Sequence, residues 1–297
     1  MSGNKHKEPF KKKVSPGGRF GRTRQHLGLR KIAICLLVAI AVSSAAVAIV
    51  LHFSQPAKAA LVDHLSLTFP NQAFVDNATA ILEQAGYEVD YYPGEEVTVE
   101  LYRKLPTLGY GLVILRVHSS ATELQGEELV ESTVAFFSSE PYSQTKYVPE
   151  QLTNQLVVAH YPRPEPSYYF AILPEFITAN TEGRFQNTIV IMMGCEGLAN
   201  TAMAEAFVEK GAKAYIGWSG SVSASHTDQA TIYLLTHLLT EKQTTEEAVE
   251  NTMKEVGPDP VYDSVLLYYP PESGEYAILG KAGAESERHN SGRVCLP

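Results

Sequence analysis

Two stretches of the chain end in residues that can do chemistry together. Leu112 to Val117, LVILRV, leads into His118-Ser119, and Ile189 to Met193, IVIMM, leads into Gly194-Cys195. A thiolate attacks a carbonyl carbon, while an imidazole draws off the thiol proton and returns it to the leaving amine. Gly194 lets a backbone approach closely. The backbone N–H groups beside Cys195 and His118, at Gly194 and Ser119, are candidates for an oxyanion hole. A helix expected after Cys195 would lower the thiol pKa from its N-terminus. Each residue also has a plainer reading, since a single cysteine in an apolar setting is ordinarily inert packing, as a histidine after a strand is ordinarily structural. Their joint placement at two strand ends is what points to a Cys-His dyad.

That placement depends on the elements around it. Both apolar runs read as strands buried on two faces, as in a parallel sheet. Neighbouring strands lie about 4.8 Å apart, so side chains just past two adjacent ends reach one substrate carbonyl. From Asn187 to Ser221 the pattern is a complete β–α–β unit: the strand, a helical face of Leu198, Ala202, Ala206 and Phe207, a stop at Gly211, and a second strand, Ala214 to Trp218. In such sheets ligands bind outside the carboxyl ends of the strands.

Upstream, a strand is expected over His64 to Phe69, a helix over Asn71 to Gln84, a strand over Tyr87 to Tyr92, a helix over Val97 to Leu105 and a strand over Gly111 to Val117. This alternation gives an α/β fold with a doubly wound, mostly parallel sheet flanked by helices. Residues 119–186 interrupt it as a β-rich insertion. There Thr133 to Phe137 is strand-like with Tyr142 to Tyr147 as its hairpin partner, and Val157 to Tyr161 and Tyr168 to Leu173 are further strands. Helices over Ser225 to Thr240 and Thr245 to Val256 follow, then strands over Val265 to Tyr269 and Tyr276 to Leu279. Asn77-Ala78-Thr79 matches the N-glycosylation sequon, a weak signal by itself.

Charge is unevenly placed. Residues 1–31 hold ten Lys/Arg against Glu8, leaving 14 of the 24 basic residues against 32 of the 33 acidic ones. An acidic body argues against nucleic acid as its partner. Residues 1–30 read as a basic, disordered cytoplasmic tail. Residues 31–53 read as a transmembrane helix, because Ile32 to Leu51 carries no charge and spans a bilayer core of about 30 Å. Basic residues on its N-terminal side keep that end in the cytoplasm and place the body outside, with the bilayer as a partner through residues 31–53. Ala57-Lys58-Ala59 resembles a signal-peptidase site, the rival reading. A linker over 54–60, an α/β domain over 61–281 and a flexible tail over 282–297 complete the expected organisation. Cys35, Cys195 and Cys295 form no CxxC and no cluster with histidine that would hold zinc, so no metal is expected. Dyad chemistry requires no cofactor.

The pairing of His118-Ser119 with Gly194-Cys195, followed by GLANTAMAEAFVEKGAKAYIGWSGSVS, resembles the clan CD cysteine peptidases: caspases, gingipains, legumain, separase and relatives. In that family an apolar strand leads into His-Gly and the next parallel strand into Ala-Cys, and Gly194-Cys195-Glu196-Gly197 is close to the Ala-Cys-Glu-Thr-Gly of some members. Ser119 stands where the family has glycine, and Gly194 where it has alanine. The resemblance covers residues 61–245. It implies a caspase-like fold and hydrolysis of polypeptide, with Cys195 as nucleophile and His118 as general acid/base. It further implies Ser119 and Gly194 at the oxyanion site, and Glu196, Trp218 and Ser219 near the substrate. A catalytically inactive binding or sensing module of the same fold is the alternative. An unrelated flavodoxin-like domain ranks behind both, since no phosphate-cradling glycine loop follows the first strand.

Overall fold

In the computed structural model the chain divides into two units, Met1–Gln55 and Pro56–Pro297. The structure describes residues 37–38, 57–123, 132–160 and 168–278. The expected tails over 1–30 and 282–297 and nearly all of the expected membrane helix over 31–53 therefore lie outside the described residues. Among those residues no helix is long and apolar enough to cross a membrane.

The second unit is built on a six-stranded, mostly parallel sheet. Its strands are β1 (Ala57–Asp63), β2 (Tyr87–Pro93), β3 (Tyr110–Arg116), β8 (Thr188–Met192), β9 (Ala212–Trp218) and β10 (Leu266–Tyr269), in the order β10-β9-β8-β3-β1-β2. Only β10 runs antiparallel, against β9. The helices are α1 (Gln72–Gln84), α2 (Val99–Lys104), α3 (Val148–Leu152), α4 (Pro174–Asn180), α5 (Ala202–Glu209), α6 (Ala224–Leu235) and α7 (Thr245–Val256). The last turn of α6 widens into a π-helical stretch, Thr236–Thr240.

Strand alternation sorts the core into two layers. Leu61, Leu112, Ile114, Ile189, Ile191 and Ile216 face one side with Phe74, Ala78 and Leu82 of α1 and Leu234 and Leu235 of α6. Val62, Val113, Leu115, Val190, Met192 and Tyr215 face the other, with Tyr102 of α2, Phe176 of α4 and Phe207 of α5. Asn71 caps α1 by accepting from the Phe74 N–H at 3.1 Å. Thr244 and Glu247 close a capping box on α7.

The β-rich insertion forms its own antiparallel sheet, β4-β5-β7-β6, from Ser119–Glu123, Ser132–Pro141, Tyr168–Ile172 and Leu156–His160. Val134, Phe136, Phe170 and Ile172 pack onto the second layer of the main sheet. β5 thus continues from the core to the end of β3, where the Phe137 N–H donates to the His118 carbonyl at 2.9 Å.

Several local expectations are corrected. The first strand is Ala57–Asp63, and His64–Leu67 is a 3-10 turn. Residues 57–60 are thus not linker but a central strand, paired on both sides by β2 and β3. Alternation in HLSLTF mimicked a strand, while the small residues of Ala57–Ala60 hid one. Tyr142 to Tyr147 is no hairpin strand; β5 pairs instead with β4 and β7. The polar start of the insertion is strand β4, its backbone satisfied by β5 despite its composition. Tyr276 opens no full strand: Ala277 makes a single bridge to Thr244.

Candidate functional site

The register of β3 and β8 decides whether the dyad is a dyad. They are neighbours and parallel, with Leu115 opposite Met192. His118 and Cys195 each lie three residues beyond that pair, so the two strands deliver them to the same depth. Parity does the rest. Cys195 continues the face of Ile191 and Met193, and His118 that of Ile114 and Arg116, so both emerge on the α1/α6 side. Both line one cavity of about 530 Å³, with Leu65, Phe69, Met193, Val222 and Tyr262 among its other walls. Both are half-buried.

His118 is held on several sides. Its Nε2 lies 2.8 Å from the Thr68 hydroxyl. Its ring meets His64 edge-on at 5.8 Å between centroids, with Phe69 at 5.9 Å and Phe137 at 6.1 Å. His64, Thr68 and Phe69 belong to the stretch after β1 and Phe137 to the insertion, so two segments fix the imidazole. His64 is fully buried, and its pKa is lowered to about 3 by that burial and by the charge of His118. It is therefore neutral at neutral pH.

Cys195 is a free thiol. Its sulfur sits against the loop after β9, 3.5 Å from the Val222 nitrogen and 3.6 Å from the Val222 carbonyl oxygen. Burial pushes the thiol pKa up, the Val222 N–H opposes this, and the Glu196 carboxylate adds to the rise. The expected help from a helix N-terminus is not there. α5 begins only at Ala202, and residues 196–201 turn before it.

The remaining predicted residues are distributed around the dyad rather than gathered in the cavity. Gly194 lines it, and a Cβ there would run into the Val117 carbonyl oxygen, Met192 Cε and Ser119 Oγ. Glycine at 194 is therefore dictated by the tight crossing of the β3 and β8 ends. Ser119 is buried, and its hydroxyl donates to the Cys195 carbonyl oxygen. Glu196 has a left-handed backbone, φ 60°. Its carboxylate accepts from the Ala121 N–H of β4 and lies 3.4 Å from the Ser221 hydroxyl, while its own N–H donates to the Gly220 carbonyl at 2.8 Å. It is a clamp between the insertion and the loop after β9, outside the cavity wall. Trp218 and Ser219 do not line the cavity either. Trp218 is buried with its indole N–H donating to Thr227 Oγ1 at 2.9 Å. Ser219 pairs with Val265 through its N–H at 2.9 Å and its Oγ at 3.0 Å.

Sequence reading missed the groups that brace the site. Arg116 is completely buried and donates to Asp63 at 2.7 Å, to both Asp228 oxygens at 2.7 and 2.9 Å, and to the Phe69 carbonyl at 2.9 Å. Burial alone would weaken its charge, but Asp228 and Asp63 carry its pKa above the ordinary value. Asp63 is raised by burial in spite of Arg116. The network fastens β1, β3, α6 and the turn holding Phe69 beneath His118. An arginine inside LVILRV was the available signal, since a buried strand cannot carry an uncompensated charge. Asp259 is a second brace. It accepts N–H bonds from Ser223, Val261 and Tyr262 at 2.8 to 2.9 Å, which hold its carboxyl below the ordinary range although burial works against them. No comparable pattern announced Asp259, Thr68 or Val222, whose roles arise from loop folding.

Among the described residues no group of three or more His, Cys, Asp or Glu is arranged to hold a metal ion. Searches of protein-family models and of curated proteins find no match to this chain.

Proposed function

We propose that this protein is a cysteine peptidase of caspase-like fold, hydrolysing peptide bonds through His118 and Cys195, anchored by residues 31–53 with its domain on the extracytoplasmic side. The observation that carries the reading is the in-register adjacency of β3 and β8, with both side chains on one cavity. The antiparallel β10 and the sheet order are consistent with it. The parallel strands alone run β2-β1-β3-β8-β9, an order shared by flavodoxin-like domains. Against such a ligand-binding reading, the turn after β1 is His64–Leu67, with no glycine to cradle a phosphate.

In the proposed cycle His118 takes the Cys195 proton as the sulfur attacks the scissile carbonyl carbon. The carbonyl electrons move to oxygen, and the collapse of the tetrahedral species expels the amine, which receives the proton from His118. Water, deprotonated by His118, then cleaves the thioester and returns the thiol. The Thr68 hydroxyl, 2.8 Å from Nε2, holds the ring's orientation.

The alternative, an inactive binding module of the same fold, is favoured by one set of observations. Burial raises the Cys195 pKa, and the Ser119 hydroxyl occupies the Cys195 carbonyl where the related peptidases have glycine. A thiol-reactive peptide probe separates the two readings. Peptidase activity requires labelling at Cys195 that is lost, together with cleavage, in Cys195→Ala. Labelling that persists in this variant at another cysteine would overturn it.

A further inference from the structure

We infer that the side-chain subsite beside Cys195 accepts a bulky apolar residue of the substrate polypeptide and rejects charged ones. This rests on the peptidase reading of the same site and names its substrate class. Among the described residues that line the cavity holding His118 and Cys195 there is no carboxylate, ammonium or guanidinium. Its walls are Leu65, Phe69, Val117, Met193, Val222 and Tyr262, with the polar groups of the 223–227 segment at one side.

The charged groups bonded to its wall residues are already committed, and the carboxylate of Glu196 beside Cys195 is held by the Ala121 N–H and the Ser221 hydroxyl. Arg116 donates to the carbonyl of Phe69, a wall residue, and spends its other hydrogen bonds on Asp63 and Asp228. It is not available to a substrate carboxylate. Asp259 is buried and its two oxygens are engaged by three backbone N–H groups, so it is not presented to a substrate arginine or lysine. A charged side chain entering here would lose its hydration without gaining a partner.

The rim points the same way. Phe69 and Tyr262 line the cavity yet remain 54% and 55% exposed, and Val261 beside Tyr262 is 70% exposed. Asp259 holds the backbone of Val261 and Tyr262 in place, so this apolar lip is ordered rather than incidental. At about 530 Å³ the space suits a leucine, methionine or phenylalanine side chain together with the adjoining backbone.

The test uses blocked peptides identical except at one position: Leu, Phe, Asp, Arg or Gly. Cleavage is followed with the native protein and binding by fluorescence anisotropy with Cys195→Ala, so recognition is read apart from chemistry. The Leu and Phe peptides should be cleaved with kcat/KM roughly ten to a hundredfold above Asp and Arg, and bound tighter in the same order. Tyr262→Lys, at an exposed position, should erode the preference for Phe and raise binding of Asp. Preference for Asp or Arg in either assay, or no discrimination, overturns the inference while cleavage itself would still uphold the peptidase reading. Apolar-selective binding without any cleavage by the native protein would uphold the inference and overturn catalysis.

Discussion

At the scale of single residues, the site brings together a thiol that is not ionised at neutral pH and an imidazole that is rigidly held. Because burial raises the Cys195 pKa, the thiol is the dominant form at neutral pH. Alkylation of Cys195 by a small neutral reagent should therefore keep accelerating above about pH 8.5, the ordinary thiol value. A rate already flat at pH 7 would mean that His118 takes the proton in the resting protein. Thr68 holds the His118 ring, so under the proposed peptidase mechanism Thr68→Val should lower kcat by about ten to a hundredfold with little change in KM, and should shift the pH–rate profile. An unchanged profile would reduce Thr68 to a structural role. The glycine at 194 has a steric cause independent of chemistry, since any Cβ meets the Val117 carbonyl oxygen.

At the scale of elements, two strand ends and two loops converge, and Glu196 ties them. Its left-handed backbone costs on the order of 1 kcal/mol or more for a non-glycine residue. The bonds of its carboxylate to the Ala121 N–H and the Ser221 hydroxyl offset that cost. Glu196→Ala should destabilise the domain by about 1–3 kcal/mol in denaturant unfolding. It should also speed hydrogen exchange at Ala121, in the edge strand β4 of the insertion's sheet. Unchanged exchange there would show that pairing with β5 alone holds the insertion. The insertion is part of the site's construction, because β5 sets Phe137 against the His118 ring.

At the scale of the whole domain, buried polar groups lie under the site where a simpler fold would have apolar packing. Arg116, Asp63, Asp228 and His64 are all at most a few per cent exposed. His64 makes folding pH-dependent. Its pKa is about 3 when folded and about 6.5 when unfolded, so protons favour the unfolded chain below pH 6.5. Its contribution is fully present above pH 6.5 and is lost progressively down to about pH 3, amounting to about 2 kcal/mol by pH 5. Equilibrium unfolding between pH 7 and pH 5 should show this loss, and His64→Phe should flatten it. A slope unaltered by the substitution would assign the acid sensitivity to other groups.

What the sequence by itself determined was the alternation of elements and the two buried strands that lead to His118 and Cys195. A strand buried on both faces must be a continuous apolar run, so Leu112 to Val117 and Ile189 to Met193 were legible, as was the helix capped by Asn71. Local pattern failed where burial came from elsewhere. Ala57–Ala60 is too small to look like a central strand, and β4 is too polar, yet pairing with neighbours makes both. Only the tertiary structure decided that β3 and β8 are adjacent and in register, which turns two separate residues into a pair. It also decided that Trp218 is core, that Glu196 is a clamp, and that Arg116 is neutralised by two distant carboxylates. These are contacts between residues far apart in the chain. Hydrophobic period specifies which side of an element is buried, but not which neighbour it is buried against.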